Sequence, residues 1–248
     1  MGSQASKEGK TGTLAIEPIP DMSVFDVVQE PDAHTLTDNP KDSSSGNKAL
    51  QLLVRQGIHL MHYVACGSIK VKTVDGKESG IDVAGMGPEN RLGVMMYQRV
   101  KHTKETTVAV SVRCLEKGTG YFEILKPEPV HEGQKPSKYK SPKTHDKDLY
   151  TYAVVKHPMV GNVTDVLING ISTKGDDAVY TIHKAGIVPV KQLVKRRGTP
   201  VALIEGGSWC DTKITSFKCT ICPGIDPMFI ICLCTISDQL SQGVVRTP

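Results

Sequence analysis

Ile69-Lys70-Val71-Lys72-Thr73-Val74-Asp75-Gly76 decides the fold class. Its apolar residues are separated by Lys70, Lys72 and Thr73, the pattern of a strand with one face buried and the other in water, and Asp75-Gly76 supplies a tight hairpin turn. Short β-favouring runs of this kind recur at 94–100, 107–115, 121–125, 150–155, 163–171, 178–183, 201–204, 214–221 and 228–236. Turns such as Gly118-Thr119-Gly120, Lys174-Gly175-Asp176 and Pro223-Gly224 separate many of them. The spacing predicts a mainly β chain with a few helices (α+β), an antiparallel sandwich or barrel-like domain. A doubly wound α/β fold is disfavoured, because the repeated long helices it needs are missing.

Working back from this strand, Leu50, Leu53, Leu60, Met61 and Val64 fall close to a helical period, with Gly57 as the weak point. The expectation is one helix, broken at Gly57. His59 and His62 would share a face of it; without a third ligand they read as packing or surface residues. Further back, residues 11–46 are rich in Pro, Asp, Ser and Thr, too polar to offset the entropy of ordering. Residues 1–46 therefore read as a flexible arm and 47–248 as a single β-rich domain. The patch Val24, Phe25, Val27 and Val28 interrupts the arm and favours docking on the domain's own surface.

Working forward, residues 126–148 form a basic loop punctuated by Pro127, Pro129, Pro136 and Pro142, and it is placed to divide the sheet into two halves. Lys135, Lys138, Lys140, Lys143 and Lys147 suit anionic lipid or phosphate. A second basic cluster, Lys191, Lys195, Arg196 and Arg197, follows Ile187-Val188-Pro189-Val190 and suits the same ligands, or nuclear import through Lys195–Arg197. A net charge of only +4 leaves such local clusters, rather than the whole chain, to choose an anionic partner.

Groups arranged for catalysis are not found in the sequence. Gly175-Asp176-Asp177 reads as a turn, Gly85-Met86-Gly87-Pro88 lacks the P-loop lysine, and Gly207-Ser208-Trp209 is only a fragment of a nucleophile elbow. Cys219 and Cys222 have metal-knuckle spacing, but Cys232 and Cys234 do not complete it in a standard way, and the cysteines read as small core residues. The expectation is no enzyme, no small-molecule substrate, no cofactor and no metal. Seven cysteines without a secretory leader point to a reducing compartment.

The first residues, Met1-Gly2-Ser3-Gln4-Ala5-Ser6, match an N-myristoylation signal, with Gly2 as acceptor and Ser6 as the small hydroxyl residue. One myristoyl chain binds membranes with K of only about 10⁴ M⁻¹, so a second attraction is required. Lys7 and Lys10 supply little of it with Glu8 between them. The two basic clusters are the expected second signal.

In its arm, length and basic patches the chain resembles the matrix proteins of enveloped negative-strand RNA viruses, such as rhabdoviruses. The resemblance implies a virion structural protein at the cytoplasmic face of host membranes, self-associating and linking anionic membrane to nucleocapsid. The alternative is a plant-virus movement protein that binds single-stranded RNA through the same basic patches.

Overall fold

A computed structural model describes residues 16–32, 35–36, 48–56, 59–61, 64–66, 68–76, 78–85, 93–99, 106–114, 120–137, 148–157, 163–168, 179–187, 190–206 and 215–241. The strands are β1 (Leu50–Gln56), β2 (His59–Met61), β3 (Val64–Cys66), β4 (Ser68–Thr73), β5 (Glu78–Gly85), β6 (Gly93–Arg99) and β7 (Thr106–Cys114). They continue as β8 (Gly120–Lys126), β9 (Tyr150–His157), β10 (Val163–Ile168), β11 (Tyr180–Ile187), β12 (Val190–Arg196), β13 (Thr199–Gly206) and β14 (Thr215–Ile221). One 3₁₀ helix, η1 (Met22–Asp26), precedes the strands, and one α-helix, α1 (Pro227–Ser241), follows them.

The fold is mainly antiparallel β, as the alternation predicts. From β4 to β14 each strand pairs antiparallel with the next along the chain. β1 pairs with both β4 and β14, so the hydrogen-bonding order returns to its start. The short β2–β3 ribbon forms a sheet of its own. The Asp75-Gly76 turn stands where expected: Gly76 has φ +84°, which a residue without Cβ adopts freely, and its amide bonds to the Thr73 carbonyl at 2.9 Å.

Three expectations change. Leu50–Gln56, His59–Met61 and Val64–Cys66 are strands rather than helix: in the first of them Leu52 and Val54 alternate inward, and pairing with β14 supplies backbone bonds that no local period can foretell. The run at 228–236 is helix. Its apolar residues have no period to separate a buried strand from a buried helix, and Asp226 settles the matter: its Oδ1 accepts the Met228 amide at 2.9 Å and the Phe229 amide at 3.4 Å, with Pro227 opening the first turn. The 126–148 segment does not split the sheet, since β8 and β9 on either side of it pair directly from Gly120↔His157 to Lys126↔Tyr150.

α1 is the centre of the core. Met228 to Cys234 and Ile236 are all buried, so the helix is covered on every side along this length, as a helix apolar all round requires. It packs on β6, β7, β8 and β14. Tyr152 and Tyr180 meet Phe229 edge to face, with ring centroids 5.7 and 5.0 Å away. Each large apolar side chain buried here contributes about 2 kcal/mol relative to exposure.

Candidate membrane-facing surface

Residues 16–32 and 35–36 of the N-terminal segment lie against the domain. This corrects the flexible arm over those residues. Their polar composition hides a few strong attachments. The Asp21 carboxylate accepts the Ser23 amide at 2.9 Å and starts η1, which turns Phe25 into the core. η1 packs on β13, which explains why Val201, Ala202, Leu203 and Ile204 are buried in succession rather than alternately. The Gln29 amide bonds to the Pro223 carbonyl at 2.8 Å. Gly224 makes that approach possible, because a Cβ there would stand 2.0 Å from the Gln29 carbonyl oxygen.

Carboxylates fasten the rest of the segment. The Glu17 amide bonds to the Lys184 carbonyl at 2.9 Å, while its carboxylate pairs with Lys195 and lies 3.5 Å from His183 Nδ1. The hydrogen bond from Lys195 holds Glu17 below the usual carboxylate range. Burial, followed by the charge of Lys195, lowers His183 below its ordinary value. Asp32 pairs with Arg196 at 2.6 Å and accepts the Tyr180 hydroxyl, and the Arg196 guanidinium also donates to the Glu30 carbonyl. Asp226 joins segment and helix, since its Oδ2 accepts the Leu36 amide at 2.7 Å. Burial raises both phenols here, Tyr152 with help from Asp226 and Tyr180 with help from Asp32, so they stay neutral donors.

The second basic cluster is thereby engaged within the chain. Lys191 pairs with Glu205 at 2.8 Å, Lys195 with Glu17 and Arg196 with Asp32. Arg197, in the turn between β12 and β13 at φ +48°, is exposed. This spends most of the charge that the sequence reading assigned to lipid, phosphate or nuclear import. Glu17, Asp32 and Glu205 were the missed partners; for Glu17 and Asp32 the acidic residues of the arm were the available signal, while Glu205 lies in β13.

Of the first basic cluster, Lys135 is exposed. It sits in a stretch tied to β9 by Gln134 Nε2 donating to the Thr151 carbonyl at 2.8 Å and by the Ser137 amide donating to the Leu149 carbonyl at 2.7 Å. Lys138, Lys140, Lys143 and Lys147 lie outside the described residues, as do Gly2 and Ser6. Cys219 and Cys222 are buried free thiols, and burial, with Asp26 nearby, pushes Cys222 up to about 11. Among the described residues no group of three metal-ligating side chains gathers. Nor is any described helix long and apolar enough to cross a membrane.

Comparison with family models, with curated proteins and with solved structures found no match.

Proposed function

We propose that this chain is a non-enzymatic membrane-surface adaptor of the matrix type, which self-associates and links a membrane to a nucleocapsid. The observation that carries the reading is the apolar exposure of the segment following Gly2 and Ser6. Ile16, Met22, Val27 and Val28 stand 44–59% exposed while Phe25 between them is buried. The segment thus holds itself to the fold through Phe25, Leu36 and its polar attachments, and offers Ile16, Met22, Val27 and Val28 outward. They supply the second attraction that a single myristoyl chain requires, in place of the neutralised Lys191, Lys195 and Arg196. The interior along α1 is filled by side chains, which leaves the outer surface for partners.

The test pairs wild type with Gly2→Ala in eukaryotic cells. Mass spectrometry of the amino terminus is expected to show the myristoyl group on wild type alone. Flotation on phosphatidylcholine–phosphatidylserine vesicles is expected to fall about tenfold in the variant. An unmodified amino terminus together with equal flotation of both proteins overturns the reading. Steeply salt-dependent binding to single-stranded RNA, with location indifferent to Gly2→Ala, replaces it with the movement-protein alternative.

A further inference from the structure

The two carboxylates that fasten the ends of residues 16–32 are each met by two groups of β11 and β12. Glu17 takes the Lys195 ammonium and stands 3.5 Å from His183 Nδ1, while Asp32 takes the Arg196 guanidinium at 2.6 Å and the Tyr180 hydroxyl. An arginine fork and a hydroxyl meeting one carboxylate form a cradle whose geometry suits a phosphate equally well. With the segment docked, the Lys195, Arg196 and His183 side chains are only 17–19% exposed. Beside them Lys184 and Arg197 are exposed and add two more cations. Glu17 and Asp32 offset Lys195 and Arg196, and Asp165 acts on His183 from β10. Lifting the segment leaves Asp165 alone against Lys184, Lys195, Arg196 and Arg197.

The order of the cradles along β12 selects the ligand. Neighbouring residues of a strand point to opposite faces. Lys195 lies across from Thr181, on the side of His183, and Arg196 lies across from Tyr180, whose ring packs inward on Phe229. The segment serves both because its chain passes from one face to the other between Glu17 and Asp32. A flat array of lipid headgroups meets one face only. A flexible single strand with a charge at every nucleotide can follow the path that the segment takes, and it brings more charge to the cradles than two carboxylates do.

We infer that residues 16–32 mask a phosphate-binding face of β11 and β12, and that the ligand of this face is the backbone of single-stranded RNA, bound when the segment lifts. The choice of RNA rests on the adaptor reading, whose nucleocapsid contact is thereby given a place and a mask. RNA binding and Gly2-dependent flotation are read separately, so either can fail while the other stands.

The experiment follows the fluorescence anisotropy of a labelled oligouridylate mixed with the full-length chain. Two variants lift the segment by different means: Gly224→Ala, which changes no charge, and Glu17→Gln/Asp32→Asn. Both are expected to bind at least about tenfold more tightly than wild type, with log affinity falling against log salt at a slope of about −2 to −3, as roughly three to four phosphate contacts require. Lys195→Gln/Arg196→Gln added to Gly224→Ala is expected to return binding to the wild-type level. Circular dichroism checks the fold of each variant, and limited proteolysis within 16–32 reports whether the segment has lifted. A segment that stays docked in both variants overturns the mask. So does equal binding by wild type and a variant whose segment is lifted, or tighter binding that survives the loss of Lys195 and Arg196. Flotation on phosphatidylcholine–phosphatidylserine vesicles, or binding of polyglutamate, gained by the lifted variants without RNA binding overturns RNA in favour of lipid or an acidic protein.

Discussion

Asp32 serves two partners at once, the Arg196 guanidinium and the Tyr180 hydroxyl, with its side chain only 7% exposed. Asp32→Ala leaves a partly buried cation and a buried phenol without that acceptor, and is expected to cost about 2–3 kcal/mol in denaturant unfolding. The pair Glu17 and His183 gives a pH response. Both are held below their ordinary values, so the unfolded chain binds more protons than the folded one wherever pH lies between the two. Their stabilisation is complete at neutral pH. It declines first as pH falls below 6.5 through the lower folded value of His183, and again below 4.5 through that of Glu17. Melting temperature against pH is expected to show both limbs, the upper one flattened by His183→Gln and the lower by Glu17→Gln. At this scale the sequence was only half legible. The basic residues of 191–197 were plain, but their carboxylates lie up to 178 positions away and nothing local announces which charges meet.

The N-terminal segment holds as an element because its backbone comes within hydrogen-bonding reach of the Pro223-Gly224 turn. Gly224 has φ +89°, and any Cβ would collide with the Gln29 carbonyl. Gly224→Ala is therefore expected to lift the segment: limited proteolysis should cut within 16–32 several times faster than in wild type, with a stability loss of at least about 1–2 kcal/mol from the backbone conformation alone. Unchanged proteolysis would contradict the close approach. Strands with clear alternation, such as β4 and β10, were legible because half-burial imposes period two. β5 was not, since Glu78, Gly80, Asp82 and Gly85 give it little strand preference and its pairing with β4 and β6 holds it. β12 was hidden by its own lysines and arginine. α1 was misread because a fully buried run looks the same as strand or helix until its cap is recognised.

For the whole molecule the decisive fact is that strands pack on a helix whose residues Met228 to Cys234 and Ile236 are all buried. Ile231→Asp puts an unpaired charge on a fully buried position and is expected to abolish the cooperative transition in calorimetry, where a surface substitution such as Lys156→Asp leaves it intact. The sequence left sandwich and barrel-like arrangements open, and neither the pairing of β1 with β14 nor the burial of α1 was legible, because both are contacts between distant parts of the chain. Short strands and turns reveal the sheet's material but not which distant strands pair. The placement of α1 also sets a schedule for biosynthesis. It follows every described strand, and a ribosome adds about 5–20 residues per second. For several seconds the nascent strands exist without the side chains that fill them. Maturation must wait for the translation of residues 227–236, and any chain interrupted before Pro227 leaves the ribosome as a client for chaperones and proteases.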